Sequence, residues 1–158
     1  NMGEHARILV IDDDESIRKT LATILEEKGY LVDTAENGEE AIRKSNVKFY
    51  NLALIDIRLP DMEGTKLLTA MKEATPKMVK IIITGYPSLQ NAIEAVNKGA
   101  DAYILKPFNM DSVLNTIKEH LKKQQQAKKY GEEKVAEFIE TRVREIEEEK
   151  TISRKRMG

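Results

Sequence analysis

The segment RILVIDDD, residues 7–14, decides the fold of this chain. Four of its first five residues are apolar, and a run this short is typical of a buried strand. Three consecutive acids end the run. Two similar segments follow, LALID at residues 52–56 and KIIIT at residues 80–84, and each also ends in a polar residue. Strands that are apolar on both faces are typical of the centre of a parallel sheet.

Longer stretches with apolar residues at helical spacing lie between these runs. The chain therefore alternates between predicted strands (7–11, 31–35, 52–56, 80–84 and 102–105) and predicted helices (15–28, 38–45, from 64, 89–98 and from 109). Each parallel crossover needs a covering helix, so this order predicts a doubly wound α/β fold with helices on both faces. Segment 31–35 is more polar and is placed at an edge. The result is a five-stranded parallel, flavodoxin-like sheet of order 2-1-3-4-5.

Composition excludes several classes of protein. The chain has 158 residues and no cysteine, which excludes disulfide scaffolds, thiolate metal sites and cysteine nucleophiles. Its two histidines, His5 and His120, lie far apart, which argues against a histidine-rich metal site. No apolar run approaches the roughly 20 residues of a membrane-spanning helix, and the start carries no signal-peptide pattern. We therefore expect a soluble cytoplasmic protein with no membrane partner.

Charge divides the sequence into two parts. Residues 1–121 hold 15 Lys or Arg and 19 Asp or Glu, a net charge of −4, whereas residues 122–158 hold 11 and 8, a net charge of +3. We predict an acidic α/β domain over 1–121 and a charged helical tail over 122–158, with Gly131 as an interruption or hinge. The tail is too short for a DNA-binding output domain with its own core, and we expect no direct DNA binding.

The tail also carries a short apolar pattern. Ala136, Ile139, Val143 and Ile146 fall at the seam spacing of a coiled coil, but they cover only about two heptads. Two interpretations stay open at this point. The helix either dimerises, docks a partner or leads to a further domain, or it is a solvated helix that packs its stripe onto its own domain.

Polar residues end the predicted strands at one edge of the sheet. Asp12, Asp13 and Asp56 should converge there with Thr84 and Lys106, because the carboxyl ends of parallel strands share an edge. Three adjacent carboxylates repel unless one is protonated or a cation binds, and oxygen ligands suit Mg²⁺ or Mn²⁺. Carboxylates beside a hard cation, a hydroxyl and a lysine amount to a phosphoryl site, in which one carboxylate can act as a nucleophile and form an acyl phosphate.

Four sequence motifs relate this predicted phosphoryl site to a known protein family. Residues 7–121 resemble the receiver domain of two-component response regulators in the segments ILVIDDDE (8–15), LIDIRLPDMEG (54–64), ITGY (83–86) and GADAYILKPF (99–108). The resemblance implies that Asp56 accepts a phosphoryl group from the histidine of a sensor kinase or phosphotransfer protein. It also implies a signalling protein that promotes only its own phosphorylation and dephosphorylation, not an enzyme with a separate substrate.

The resemblance also assigns the metal ligands. Asp13 would hold Mg²⁺ directly, Asp12 mainly through water, and Asp56 and the backbone carbonyl of Arg58 would complete the protein ligands. In this family the second residue after the acceptor and the second after the switch threonine tune hydrolysis. Here they are Arg58 and Tyr86, both bulky, which favours a long-lived phosphoryl state.

The resemblance assigns a switch as well. Thr84 and Lys106 would contact the phosphoryl oxygens, and Tyr103 would turn inward when Thr84 moves. The surface of the fourth helix, fifth strand and fifth helix would then bind a downstream protein, or a second copy of the chain. A cis peptide bond between Lys106 and Pro107 is usual in this family.

Two alternatives stay open. A haloacid dehalogenase-type phosphohydrolase would use Asp12 as its nucleophile, with Asp14 completing an Asp-x-Asp motif. That family needs an acidic pair after the lysine, which does not follow Lys106 here, and it leaves Asp56 without a role. The other alternative is a receiver-like scaffold that never accepts phosphate.

Overall fold

The computed structural model describes residues 6–157, so His5 lies outside the described residues. The chain divides into two units between Gln124 and Gln125. Each is described by itself.

The first unit is built on five strands: β1 (Arg7–Ile11), β2 (Leu31–Ala35), β3 (Leu52–Ile55), β4 (Val79–Thr84) and β5 (Ala102–Leu105). Their order is β2-β1-β3-β4-β5, and every neighbouring pair is parallel. This confirms the predicted fold and places the polar segment 31–35 at an edge. The last residues of β1 and β3, Ile11 and Ile55, are partners in the ladder, so the acids that follow them begin side by side.

Four helices connect the strands and a fifth follows β5: α1 (Glu15–Glu27), α2 (Gly38–Val47), α3 (Gly64–Ala70), α4 (Leu89–Asn97) and α5 (Met110–Met157). The helix ends are set by capping side chains and by glycines with a left-handed backbone conformation. The Asp14 and Asn37 side chains cap α1 and α2, and Ser88 caps α4. Gly29 and Gly99 follow α1 and α4 with φ of +95°, a left-handed conformation that glycine adopts without a steric penalty.

Successive residues of a strand point to opposite faces of the sheet, so their side chains contribute to two hydrophobic cores, one on each face. Ile8 and Val10 point to the core that α1 and α5 cover, whereas Leu9 and Ile11 point to the core under α2, α3 and α4. All four side chains are at most 1% exposed. Burying a side chain of this size stabilises the fold by about 1.5–3 kcal/mol. Packing in the two cores holds the strands in place, and this determines where the polar residues at their carboxyl ends lie.

The second unit is the distal part of α5. The helix runs without a break through Gly131, so the expected interruption there is wrong. A glycine inside a helix costs only about 1 kcal/mol relative to alanine, and strong helix formers surround this one. Residues 125–157 are all exposed, and ion pairs such as Arg142–Glu145 and Arg144–Glu140 support the helix surface.

Membrane-spanning helices are absent from residues 6–157. None of their helices combines the length and apolar character that crossing a membrane requires.

Candidate functional site at the carboxyl edge of the sheet

Three carboxylates meet where β1 and β3 end. Oxygens of Asp12, Asp13 and Asp56 all lie within 4.8 Å of one another. The Asp56 N–H donates to the Ile11 carbonyl at 3.0 Å, which extends the strand pairing to the acid itself. Asp12 is 4% exposed and Asp56 6%, whereas Asp13 is exposed. The cluster is therefore two buried carboxylates with a third at their open side.

Lys106 supplies the positive charge of the site. Its Nζ lies 2.7 Å from Asp12 Oδ2 and 3.3 Å from Asp56 Oδ2, so the ammonium bridges the two buried acids. Burial works to lower the pKa of Lys106, but the hydrogen bond to Asp12 and the charges of Asp12 and Asp56 outweigh it and raise that pKa above its usual value. The lysine remains charged at neutral pH. The Lys106–Pro107 peptide bond is cis, as the resemblance implied.

The second buried acid, Asp56, is destabilised in its ionised form. Burial, followed by the charge of Asp12, raises its pKa, and the positive charge of Lys106 only partly offsets that rise. A bound divalent cation would favour the ionised form of Asp56. Carboxylate oxygens around an open position are the donors that Mg²⁺ or Mn²⁺ prefers, so the residues present fit such an ion.

Backbone and arginine contacts hold Asp12 in place. Its Oδ1 accepts the Asp14 N–H at 2.9 Å, and its carbonyl oxygen accepts a hydrogen bond from Arg18 Nη1 at 2.7 Å. Arg18 was not predicted from the sequence. Its position one turn after Asp14, the N-cap of α1, was the available signal, since that turn faces the end of β1.

Thr84 ends β4 and is fully buried. Its Oγ1 accepts the Tyr86 N–H at 3.0 Å, and the Tyr86 carbonyl accepts from Asn91 Nδ2 at 3.0 Å. Tyr103 Oη in turn donates to Asn91 Oδ1 at 2.5 Å. A continuous path of hydrogen bonds therefore joins Thr84 to Tyr103. Asn91 was not predicted from the sequence, although Ser88 was predicted as the N-cap of α4. The Ser-x-x-Asn spacing of a capping box was the available signal.

The β3–α3 loop brings Arg58 to the rim. The Arg58 N–H donates to Asp56 Oδ1 at 3.3 Å, and its guanidinium lies over the Tyr86 ring, 3.9 Å from the ring centroid. Such a stacked cation contributes about 0.5–1 kcal/mol at an exposed site. A groove of about 410 Å³ opens beside this pair, with Glu63 and Glu94 among its lining residues.

Two further contacts position that loop. The Asp61 carboxylate accepts hydrogen bonds from the N–H groups of Gly38 and Glu39 at 2.8 and 2.9 Å, and so connects the loop to the start of α2. This role of Asp61 was not predicted from the sequence. Gly64 begins α3 against the end of β3, and its N–H donates to the Ile57 carbonyl at 2.6 Å. A Cβ at Gly64 would lie 2.0 Å from the Asp56 carbonyl oxygen, so only glycine fits.

Comparison with known proteins agrees with this geometry. The family model for the response regulator receiver domain matches residues 8–118. The transcriptional regulatory protein ZraR of Klebsiella oxytoca is 39% identical over 119 residues, which are 75% of this chain and 27% of ZraR. The chain thus spans about a quarter of the length of curated relatives such as ZraR and the Escherichia coli regulatory protein AtoC.

Two solved structures are similar over the first unit. A response regulator receiver domain protein (CheY-like) from Methanospirillum hungatei JF-1 is 48% identical, with a TM-score of 0.74, and covers 77% of this chain and 98% of its own. The regulator TrrA of Thermotoga maritima, solved in complex with Mg²⁺ and BeF, is 35% identical, with a TM-score of 0.65, and covers 73% of this chain and 98% of its own. Given the family match over most of the sequence, the same strand order and the acidic cluster, this chain belongs to the response regulator receiver family.

Proposed function

We propose that this chain accepts a phosphoryl group on Asp56 from the phosphohistidine of a sensor kinase or phosphotransfer protein. The observation that carries the proposal is the pairing of Lys106 with Asp12 and Asp56, next to Asp13. One of the two buried carboxylates, Asp12, is held by the lysine at short range. Asp56 has the longer contact and the raised pKa, which leaves it the less stabilised and more reactive anion.

The proposed step is a simple displacement. An ionised oxygen of Asp56 attacks phosphorus, a P–O bond forms as the P–N bond to the donor imidazole breaks, and the imidazole takes up a proton. Lys106 and the Thr84 hydroxyl donate hydrogen bonds to the phosphoryl oxygens. Thr84 Oγ1 now accepts from Tyr86, so its own proton is free to be donated.

Asp12, Asp13, Asp56 and the backbone carbonyl of Arg58 would hold Mg²⁺, or Mn²⁺ in its place. When bound, such an ion neutralises charge that develops on the phosphoryl oxygens. The contribution of the chain is to bring these oxygens together on two adjacent strand ends.

We propose that Thr84, Asn91 and Tyr103 pass the phosphorylation state to the surface. Movement of Thr84 towards a phosphoryl group would break its bond with the Tyr86 N–H and disturb the Asn91 contact to Tyr103. The population of two conformations would then shift by the difference in their affinity for the phosphoryl group.

The surface that would change is the α4-β5-α5 face. It exposes large apolar side chains, with Leu89 79%, Ile93 51%, Val96 70% and Leu105 51% exposed. Apolar residues grouped in this way are typical of an interaction site. We propose a downstream protein as the partner of this face, with a second copy of the chain as the other possible occupant.

Arg58 and Tyr86 support a proposal about lifetime. Their stacked side chains lie at the rim of the site, and neither offers a carboxylate or amide that would orient an attacking water. We propose slow hydrolysis of the acyl phosphate. For the domain limits, we propose a receiver domain over 1–121 and a tail over 122–158, since Leu121 is the last buried residue of α5 in the described chain.

Intact-protein mass after incubation with acetyl phosphate and Mg²⁺ tests the phosphorylation. We expect one added phosphoryl group on the wild type, and none on Asp56→Asn or without Mg²⁺. Asp12→Asn separates the alternatives, because it should only weaken phosphorylation here, whereas it would abolish all turnover of phosphomonoesters by a phosphohydrolase. A modified Asp56→Asn protein would refute the assignment.

A further inference from the structure

The distal part of α5 carries an apolar stripe that nothing in the described chain covers. Ile139, Val143 and Ile146 are 55%, 49% and 38% exposed. With Ala136 they occupy alternating a and d positions of a heptad: Ala136 and Val143 at a, Ile139 and Ile146 at d. An exposed stripe of this kind on a continuous helix needs an occupant.

The charged residues beside the stripe identify that occupant. In a parallel, in-register pair of identical helices, each g residue faces the e residue five positions later on the other chain. The three charged g residues then meet opposite charges: Lys128 meets Glu133, Arg142 meets Glu147, and Glu149 meets Arg154. The remaining g position in this stretch is Val135, which adds apolar surface. None of these g–e′ contacts joins like charges.

The antiparallel arrangement gives the opposite result. There, e positions face e positions and g positions face g positions. Aligning the four apolar layers would set Glu133 against Glu147, Glu140 against its own copy, and Arg142 against its own copy. Like charges in direct contact destabilise a helix pair. The charge pattern therefore selects one orientation.

Ion pairing within the single chain leaves most of these charges available. Among the described residues, Lys128, Glu133, Glu147, Glu149 and Arg154 take part in no ion pair. Arg142 pairs with Glu145 on its own helix, which is compatible with a second contact across the seam. The two other ion pairs of this stretch are Lys134–Glu137 and Arg144–Glu140. Three of these residues lie at outward positions b and f, and the fourth, Glu140, lies at an e position that faces Val135 in the parallel pair.

We propose that residues 128–154 form a parallel, in-register, two-stranded coiled coil with a second copy of this chain. The pairing is independent of phosphorylation and of the α4-β5-α5 face. Only four apolar layers are present, and Lys129 and Lys150 at a, with Glu132 and Ser153 at d, flank them. The association is consequently weak and depends on protein concentration, and the g–e′ charge pairs set its orientation and register.

Charge reversal in the 158-residue chain tests the proposal. Sedimentation equilibrium without a phosphoryl donor, over roughly 1–300 µM chain, should show a monomer–dimer equilibrium for the wild type. Arg142→Glu alone and Glu147→Arg alone should each weaken it by about tenfold, because each turns two attractive contacts into repulsive ones. An equimolar mixture of the two variants should dimerise again, and the double variant should recover wild-type affinity.

Arg144→Glu is the matched control, since it makes the same charge change at an outward position and should leave the equilibrium unchanged. Circular dichroism of each variant shows whether helix content is kept, and the double variant retains the wild-type composition. A wild-type monomer at all concentrations would overturn the proposal. So would single variants that dimerise like the wild type, or a mixture in which association does not return.

Discussion

Replacing Gly64 with alanine should damage both the stability of the fold and the phosphorylation of Asp56. The new Cβ would lie 2.0 Å from the Asp56 carbonyl oxygen, 2.8 Å from its carbonyl carbon and 2.9 Å from Ile57 Cα. All three are backbone atoms, so no side-chain rotation can relieve the contact. An ordinary contact distance from the carbonyl oxygen is at least 3.4 Å, so the end of β3 or the start of α3 would have to move by about 1.4 Å. Overpacking of this severity costs about 2–3 kcal/mol of unfolding free energy.

The same displacement acts on the reacting group. A shift of about 1 Å in the position of a catalytic group can lower a rate by about 100-fold, so we expect phosphorylation by acetyl phosphate to slow by about 10- to 100-fold. Urea unfolding measures the first effect, and a time course of intact mass measures the second.

Gly85→Ala is the control for stability, because its nearest neighbour would be Lys106 Cβ at an ordinary 3.8 Å. We expect its unfolding free energy to stay within about 0.5 kcal/mol of the wild type. A Gly64→Ala protein with wild-type stability and a wild-type phosphorylation rate would refute the reasoning.

Four other variants test separate parts of the account. Asp56→Asn should raise the unfolding free energy at pH 7, because burial and the charge of Asp12 raise the pKa of Asp56. In the wild type, the stability that the protonated Asp56 carboxyl provides is complete below its unfolded pKa of 3.8 and is lost as the pH rises through the higher folded pKa. Urea unfolding should therefore show that the advantage of Asp56→Asn over the wild type disappears in acid. Asn91→Ala should remove the hydrogen bond from Tyr103 and cost about 1 kcal/mol in the same assay while leaving the rate of phosphorylation unchanged; a slower rate would place Asn91 in the chemistry. Tyr86→Ala should shorten the lifetime of the acyl phosphate, followed as loss of the phosphorylated mass after removal of the donor, and an unchanged lifetime would count against the role of the stacked pair. Gly131→Ala should increase helix content by circular dichroism, because in the described chain the new Cβ would have no neighbour within 4 Å beyond its two adjacent residues and the backbone of its own helix. A decrease would contradict the continuous helix.

The sheet and the acidic cluster were predictable because they depend on chain order. Apolar runs separated by helices allow few arrangements, and parallel strands put their carboxyl ends at one edge. Asp12 and Asp56 therefore had to meet once the order of β1 and β3 was known. Lys106 was expected at the same edge because β5 belongs to the same sheet, whereas the reach of its side chain to both acids, past the intervening β4, is seen only in the structure.

The contacts around the cluster were not predictable in the same way. The hydrogen bonds of Asn91 and Arg18 depend on side-chain rotamers and on the path of a loop. Neither residue belongs to the apolar periodicity from which the strands and helices were predicted. Gly131 was misjudged for a different reason. Its single unfavourable propensity was weighed alone, whereas the helix formers on both sides outweigh it.

The bridging ammonium has a consequence for the ionic state of the cluster. Three ionised carboxylates and one lysine carry a formal charge of −2, which one divalent cation cancels and one monovalent cation does not. Converting the Asp56 carboxylate into an acyl phosphate would replace one negative charge with about two, so the phosphorylated form would be more anionic than the resting form. It should therefore bind a divalent cation more tightly, and by thermodynamic linkage a higher concentration of free Mg²⁺ favours the phosphorylated form. The concentration of free Mg²⁺ and the phosphoryl donor would thus act on the same four side chains.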